Sequence, residues 1–119
     1  MAANPATPTP QLNLQTEKTS AGTVVHVTGR IVSATTEQLQ TAIRALIPEN
    51  KWIVLDLTNA SYVDSSGLGT LVGLYISCKR GGCELKLVNL TQRLKDLFHM
   101  TNLASVFEGH GDIADYRGL

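Results

Sequence analysis

The chain has 119 residues, of which 43% are hydrophobic, and its ten basic side chains balance ten acidic ones. This length predicts one domain with a proper core, and the balanced charge argues against a non-specific binder of nucleic acid or of a membrane surface. No apolar run reaches the ~18 residues that span a bilayer, so we expect no membrane segment.

The first ten residues include three prolines and predict a disordered tail, residues 1–10, ahead of a single domain, residues 11–119. They lack the basic and apolar regions of a signal peptide, so we expect a cytoplasmic protein. In that compartment Cys78 and Cys83 are expected to be reduced thiols. A zinc site would need a second cysteine pair, and we expect neither a metal nor a cofactor.

Two strands open the domain. QLNLQTEK, residues 11–18, alternates apolar and polar side chains, and TVVHVTG, residues 23–29, is rich in β-branched residues. The SAG between them predicts a turn, so we expect a hairpin.

A helix and a buried strand follow. SATTEQLQTAIRALIPEN, residues 33–50, has helical apolar spacing, and Thr35 with Gln38 fits a capping box at its start. KWIVLDL, residues 51–57, is the nearly continuous apolar run of a strand covered on both faces. Strand, helix and strand in succession predict a right-handed crossover and a partly parallel sheet.

The second half continues the alternation. SGLGTLVGLYISCKR predicts a helix that ends at Gly81–Gly82; its buried stripe is expected to be Leu68, Leu71, Val72 and Tyr75, with Ile76 as a further candidate. We then expect a strand in CELKLVN, a helix in TQRLKDLFHMTN with Thr91 as its cap, and a short strand in LASVF. The order β-β-α-β-α-β-α-β predicts a layered α/β domain with a mixed sheet.

The stretch VDSSGLGTLVGLY places Asp64, Ser65 and Ser66 directly before Gly67 and an apolar helical pattern. One explanation is structural: one of the three polar residues caps the helix, and the glycines permit a tight turn. Capping needs only one polar residue, however, and three are present. The second explanation is therefore a functional hydroxyl at the helix start.

The helix face that continues from Ser66 is made of small side chains, Thr70, Gly73 and Ser77. A solvated face normally carries larger helix-forming residues. Gly73 in mid-helix costs roughly 1 kcal/mol relative to alanine. Close approach of a partner would explain that cost, and so would packing of Gly73 against another element of the chain itself.

Here LDLTNASYVDSSGLGTLVGLY and ELKLVNLTQRLKDLFHMTNLASVFE resemble the anti-sigma-factor antagonists, the single-domain members of the STAS group, over about residues 12–108. The resemblance implies a STAS-like fold. It also implies that an anti-sigma factor with serine kinase activity phosphorylates Ser66, the serine before the glycine. Ser65 is then the less favoured acceptor, and Asp64 helps to fix the turn.

On this interpretation the unphosphorylated protein binds the anti-sigma factor and frees the sigma factor. Phosphorylation of Ser66 ends the binding, because a dianion faces the docked partner, and a serine phosphatase restores it. The residues expected to contact the partner are Asp64, Ser65, Gly67, Gly69, Thr70, Gly73, Ser77 and Arg30.

One stretch departs from the family pattern. Many relatives carry Gly-Glu-Leu-Asp after the second strand, with the aspartate near the phosphorylated serine. Here Gly29 is followed by Arg30, Ile31 and Val32, so both acids are missing. The departure implies either less efficient phosphorylation or a partner with different electrostatics. Arg30 is expected to pair with an acidic patch on that partner or to be a solvated surface arginine.

Two rival functions, an enzyme and a scaffold, are open to this sequence. An enzyme would need a base beside Ser66, but His26, His99 and His110 are not placed there by sequence, and the G-x-S-x-G elbow is absent. We therefore expect no catalytic residues. The other rival is a STAS scaffold or accessory subunit, in a stress-signalling complex or a transporter, that has no kinase switch. The replacement of the acid by Val32 favours it, and the intact Ser65-Ser66-Gly67 opposes it.

Overall fold

A four-stranded mixed sheet forms the centre of the computed structural model, which describes residues 12–102. The strands lie in the order β1-β2-β3-β4, with bounds β1 Leu12–Lys18, β2 Gly22–Ile31, β3 Trp52–Val63 and β4 Glu84–Val88. The first pair, β1 and β2, is the expected antiparallel hairpin. β2, β3 and β4 run parallel to one another.

Two helices fill the crossovers between the parallel strands, and a third follows β4. Their bounds are α1 Thr36–Leu46, α2 Ser65–Arg80 and α3 Gln92–Met100, and a 3₁₀ turn, Ile47–Glu49, follows α1. The predicted fold class and the predicted order of elements are confirmed through α3. The predicted tail, residues 1–10, and the predicted last strand, residues 103–107, lie outside the described residues.

The main core lies between one face of the sheet and the helices. Alternate residues of the strands point into it, because the side chains of a strand alternate between the two faces. They meet apolar side chains from all three helices. The largest of these fully buried side chains are Ile53, Leu55, Leu57, Leu85 and Leu87 from β3 and β4, Ile31 from β2, and Leu39, Ile43, Leu71, Leu74 and Phe98 from the helices.

The central strand β3 is buried on both faces from Ile53 to Leu57, as its apolar run predicts. On the second face, Val54 packs with Val24 and Val88 in a small separate cluster beside Trp52. β3 also extends six residues beyond the apolar run, to Val63. The sequence did not predict this extension, because its side chains are mostly polar. β2 pairs with this part of β3 through two register shifts.

Two local predictions were wrong. The capping box does not form, because the Thr35 hydroxyl donates to the Arg30 carbonyl at 2.7 Å and the Gln38 amide donates to the Leu12 carbonyl at 3.1 Å. In α2, Ile76 is 47% exposed, and Leu74 is buried instead. The apolar residues of α2 nearly encircle the helix, so spacing alone does not identify the buried side.

A charged network ties three strands together on the second face of the sheet. His26 of β2 contacts Asp56 of β3 through Nδ1, at 2.8 Å, and Glu17 of β1 through Nε2, also at 2.8 Å. The two carboxylates, Glu17 foremost, raise the pKa of His26. Burial raises the pKa of Asp56, but hydrogen bonds from Thr58, Asn89 and His26 outweigh it and lower that pKa to about 2.

This network predicts how stability depends on pH. The raised pKa of His26 stabilises the fold fully below its ordinary value of 6.5, and the contribution disappears as pH rises through the raised folded value. Asp56 acts in the opposite sense, since its contribution is present above 3.8 and is lost as pH falls towards about 2. We therefore expect the free energy of unfolding to be greatest between these two limits.

The measurement is urea denaturation across this pH range for the wild-type chain and for His26→Gln. The glutamine variant should be less stable at pH 6 and should lose the decline on the alkaline side. A wild-type decline that persists unchanged in His26→Gln would assign the pH dependence to another group.

Candidate functional site

The site lies at the carboxyl edge of the sheet, where β2 and β3 end and lead into α1 and α2. Asp64 holds the two connections together. Its Oδ1 accepts from the Gly67 N–H at 2.8 Å, which caps α2, and its Oδ2 accepts from the Ser33 N–H at 3.2 Å, in the turn before α1. The Gly67 N–H is the main cause of the lowered pKa of Asp64. Of the three polar residues, Asp64 is therefore the helix cap.

Gly67 fits the first turn of α2 tightly against the end of β2. A Cβ atom added at this position would lie 2.1 Å from the Ile31 carbonyl oxygen, which belongs to the backbone. No side chain fits there unless the helix or the strand moves. Gly67 thus serves the packing of the site, and it is itself buried.

Ser65 and Ser66 occupy the first turn of α2, and both are exposed. Within residues 12–102, no hydrogen bond engages the hydroxyl of Ser66. An oxygen at this point lies near the positive end of the helix dipole, in the turn that the Asp64 carboxylate caps. The hydroxyl is therefore accessible to another protein, in surroundings that tolerate negative charge.

Ser66 stands at one end of an open groove between α1 and α2. The floor on the α2 side is formed by Gly69, Thr70, Gly73 and Leu74. A Cβ atom added at Gly69 or Gly73 would meet nothing within 4 Å. Packing of Gly73 against the chain itself is therefore excluded for the described residues, and the small side chains leave the groove open.

The opposite wall of the groove comes from α1 and the turn before it, through Ser33, Thr36, Gln40 and Arg44. Sequence reasoning missed these residues, since they are ordinary polar residues of a helix surface. Their signal lies in the topology: consecutive right-handed crossovers on one face of a parallel sheet place α1 and α2 side by side. The groove is lined mostly by hydroxyls, an amide and a guanidinium, and is therefore polar.

The other predicted contact residues lie at different places. Thr70 is 8% exposed, and Gln40 of α1 approaches its hydroxyl at 3.5 Å. Ser77 is half-buried, further along α2 and outside the groove lining. Arg30 lies over the ring of Tyr62, away from the groove. The structure thus brings Ser66, Gly69, Thr70 and Gly73 together and leaves Ser77 and Arg30 apart.

Val32, which stands where the resemblance implies an aspartate, belongs to the turn beside the site. It immediately precedes Ser33, whose N–H binds Asp64, and its own N–H donates to the Thr35 hydroxyl at 3.0 Å. An acid at this position would place a second carboxylate next to Asp64. The apolar side chain of Val32 adds no charge to this rim of the site.

No catalytic arrangement surrounds Ser66 among the described residues. His26 is engaged by Asp56 and Glu17 on the sheet, and His99 lies on α3. His110 falls outside the described residues. Within residues 12–102, no group of three or more metal-binding side chains is present. None of the helices in this range is both long and apolar enough to cross a membrane.

The chain is similar to proteins of known family. Residues 13–115 match the STAS domain family. The anti-sigma-B factor antagonist of Listeria monocytogenes is 35% identical over 71% of this chain and 75% of its own length. The anti-sigma-B factor antagonist of Bacillus subtilis is 30% identical over 82% of this chain and 89% of its own.

A solved structure has the same fold. The Bacillus cell fate determinant SpoIIAA, in its phosphorylated form, superposes with a TM-score of 0.66 at 21% identity. The match covers 87% of this chain and 90% of that one.

Proposed function

This chain belongs to the STAS domain family, among the anti-sigma-factor antagonists, and from that premise we propose a phosphorylation switch at Ser66. In the proposed cycle, the unphosphorylated protein docks on an anti-sigma factor and thereby releases a sigma factor. Phosphorylation of Ser66 ends the docking. The observation that carries the proposal is the exposed Ser66 hydroxyl at the end of an open, small-residue groove.

The groove between α1 and α2 is the proposed docking surface. Gly69 and Gly73 have open space above them, so the backbone of a partner can approach α2 closely. The hydroxyls of Ser33 and Thr36 and the amide of Gln40 offer hydrogen bonds along the other wall. A partner seated here would cover Ser66 and exclude water from it.

The proposed modification is a simple transfer. The anti-sigma factor, acting as a serine kinase, transfers the γ-phosphoryl group of ATP to the Ser66 oxygen. The bond to ADP breaks, the new O–P bond forms, and the hydroxyl proton leaves to a base of the kinase. A serine phosphatase reverses the step with water and releases inorganic phosphate. Ser66 is then a substrate, and we propose that this protein is itself no enzyme and works in the cytoplasm.

Electrostatics explains why this modification would act on binding and spare the fold. The phosphate carries about −1.5 to −2 charges. The first turn of α2 tolerates them, because the positive end of the helix dipole favours an anion there. A partner covering the groove would have to strip water from the same anion, which costs several kcal/mol unless a cation compensates.

The test is an intact-mass measurement after the full-length chain is mixed with each serine-kinase anti-sigma factor of the source organism and ATP. One kinase should add a single phosphate to the wild type and none to Ser66→Ala. Ser65→Ala, the neighbouring variant, should still be modified. A wild type that stays unmodified by every active kinase would remove the switch.

A STAS scaffold or accessory subunit without a kinase switch is the second candidate, and Val32 is the observation that favours it. The missing carboxylate changes the rim where the kinase would act. The same intact-mass assay distinguishes the two candidate functions, because a scaffold binds its partner in the presence of ATP without gaining a phosphate.

A further inference from the structure

Two arginines from separate elements meet over one exposed tyrosine at the carboxyl edge of the sheet. The Arg30 guanidinium of β2 lies 5.5 Å from the centre of the Tyr62 ring, and that of Arg93, on α3, lies 5.9 Å from it. Both distances fall within the range of cation–π contacts. Tyr62 is 39% exposed, so the cluster remains open to solvent.

These cations have no acidic partner among the described residues. The ion pairs in residues 12–102 involve Lys18 and His26, and neither Arg30 nor Arg93 takes part in one. Asp96 lies on the same surface and accepts from Gln92, and it forms no ion pair with either arginine. A face with two unneutralised guanidiniums around an aromatic ring favours carboxylates, which arginine binds through paired hydrogen bonds.

The cluster lies outside the groove but close along the chain to the cap of α2. Arg30 pairs in register with Tyr62, and Ile31 pairs with Val63, the residue before Asp64. A single residue, Val63, therefore separates Tyr62 from Asp64, the cap of α2. Beside Tyr62 a shallow depression is lined by Val63, Arg93, Leu97 and Met100, and Met100 is 80% exposed. The surface thus combines apolar area with positive charge, as interface anchors do.

We propose that Arg30, Tyr62 and Arg93 form a second contact surface for the anti-sigma factor and receive an acidic segment of it. This inference rests on the proposed function, because it names the chemistry of the same partner. The partner of this chain therefore presents carboxylates to this edge.

The experiment compares the full-length wild type with the double variant Arg30→Glu, Arg93→Glu. The binding partner is the anti-sigma factor that phosphorylates Ser66, and calorimetry gives the dissociation constant at low and high salt. Like charges brought face to face in an interface repel each other, so we expect affinity to fall about a hundredfold at low salt. The loss should shrink as salt rises, because screening weakens the repulsion.

The matched control is Lys18→Glu, Lys51→Glu, which changes the net charge equally at the opposite edge of the sheet. It should bind within about threefold of the wild type, since charges beyond a Debye length are screened. Equal losses in both double variants would overturn the proposal, and so would no loss in either.

The melting temperature of the isolated protein tests whether the carboxylates that bind the arginines belong to this chain itself. If the arginine variant melts far below the wild type yet binds normally, the carboxylates come from the chain itself, and the proposal is wrong. If the proposed function is wrong, the wild type gains no phosphate. If only this inference is wrong, the wild type is phosphorylated and binds, and the arginine variant binds with the affinity of the wild type.

Discussion

Ser66→Asp is expected to bind the anti-sigma factor at least a hundredfold more weakly than the wild type, whereas Ser66→Ala should bind nearly as well. The aspartate places a carboxylate at the end of the groove, where the partner would have to desolvate it. A penalty of about 3 kcal/mol, modest for a charge removed from water, corresponds to a hundredfold. Alanine removes only a hydroxyl that has no hydrogen-bond partner within residues 12–102.

Calorimetric titration of the partner with each variant measures this effect. Ser65→Asp is the matched control, since Ser65 is exposed in the same helical turn but does not line the groove. It should lose about tenfold or less, because a solvated surface charge near an interface has a small effect. If Ser66→Asp and Ser66→Ala bind alike, charge exclusion is not the mechanism of the switch.

The second large effect is expected at Gly67. Gly67→Ala would place a methyl carbon 2.1 Å from the Ile31 carbonyl oxygen, so α2 must move away from the end of β2. We expect a loss of about 3 kcal/mol in the free energy of unfolding, at the upper end for overpacking. The displacement also carries the Gly67 N–H away from Asp64, so partner binding should weaken together with stability.

Gly69→Ala provides the control within the same helix. A Cβ atom there meets nothing within 4 Å, and alanine is the better helix former, so this variant should gain about 0.5–1 kcal/mol. Chemical denaturation of both variants decides the matter. Equal midpoints for Gly67→Ala and Gly69→Ala would mean that the contact with Ile31 does not hold α2 in place.

Local patterns predicted most of the fold. The alternation of β1, the apolar run of β3 and the spacing in α3 each reflect a short-range rule of side-chain direction. The boundaries of α2 followed from a capping residue at one end and Gly81–Gly82 at the other. The errors arose where two local signals compete, as at Thr35, whose hydroxyl binds the preceding turn instead of the helix.

By itself, the sequence determined that a serine stands exposed at the start of a helix, because capping and helical spacing depend on neighbours along the chain. The tertiary structure alone decided what surrounds that serine. The wall formed by α1 lies beside α2, on a separate element. The close approach of Gly67 to Ile31 joins residues 36 positions apart, and the meeting of Arg30 with Arg93 over Tyr62 joins residues 63 positions apart. Strand register and the hand of the crossovers fix such contacts, and neither is encoded in a local pattern.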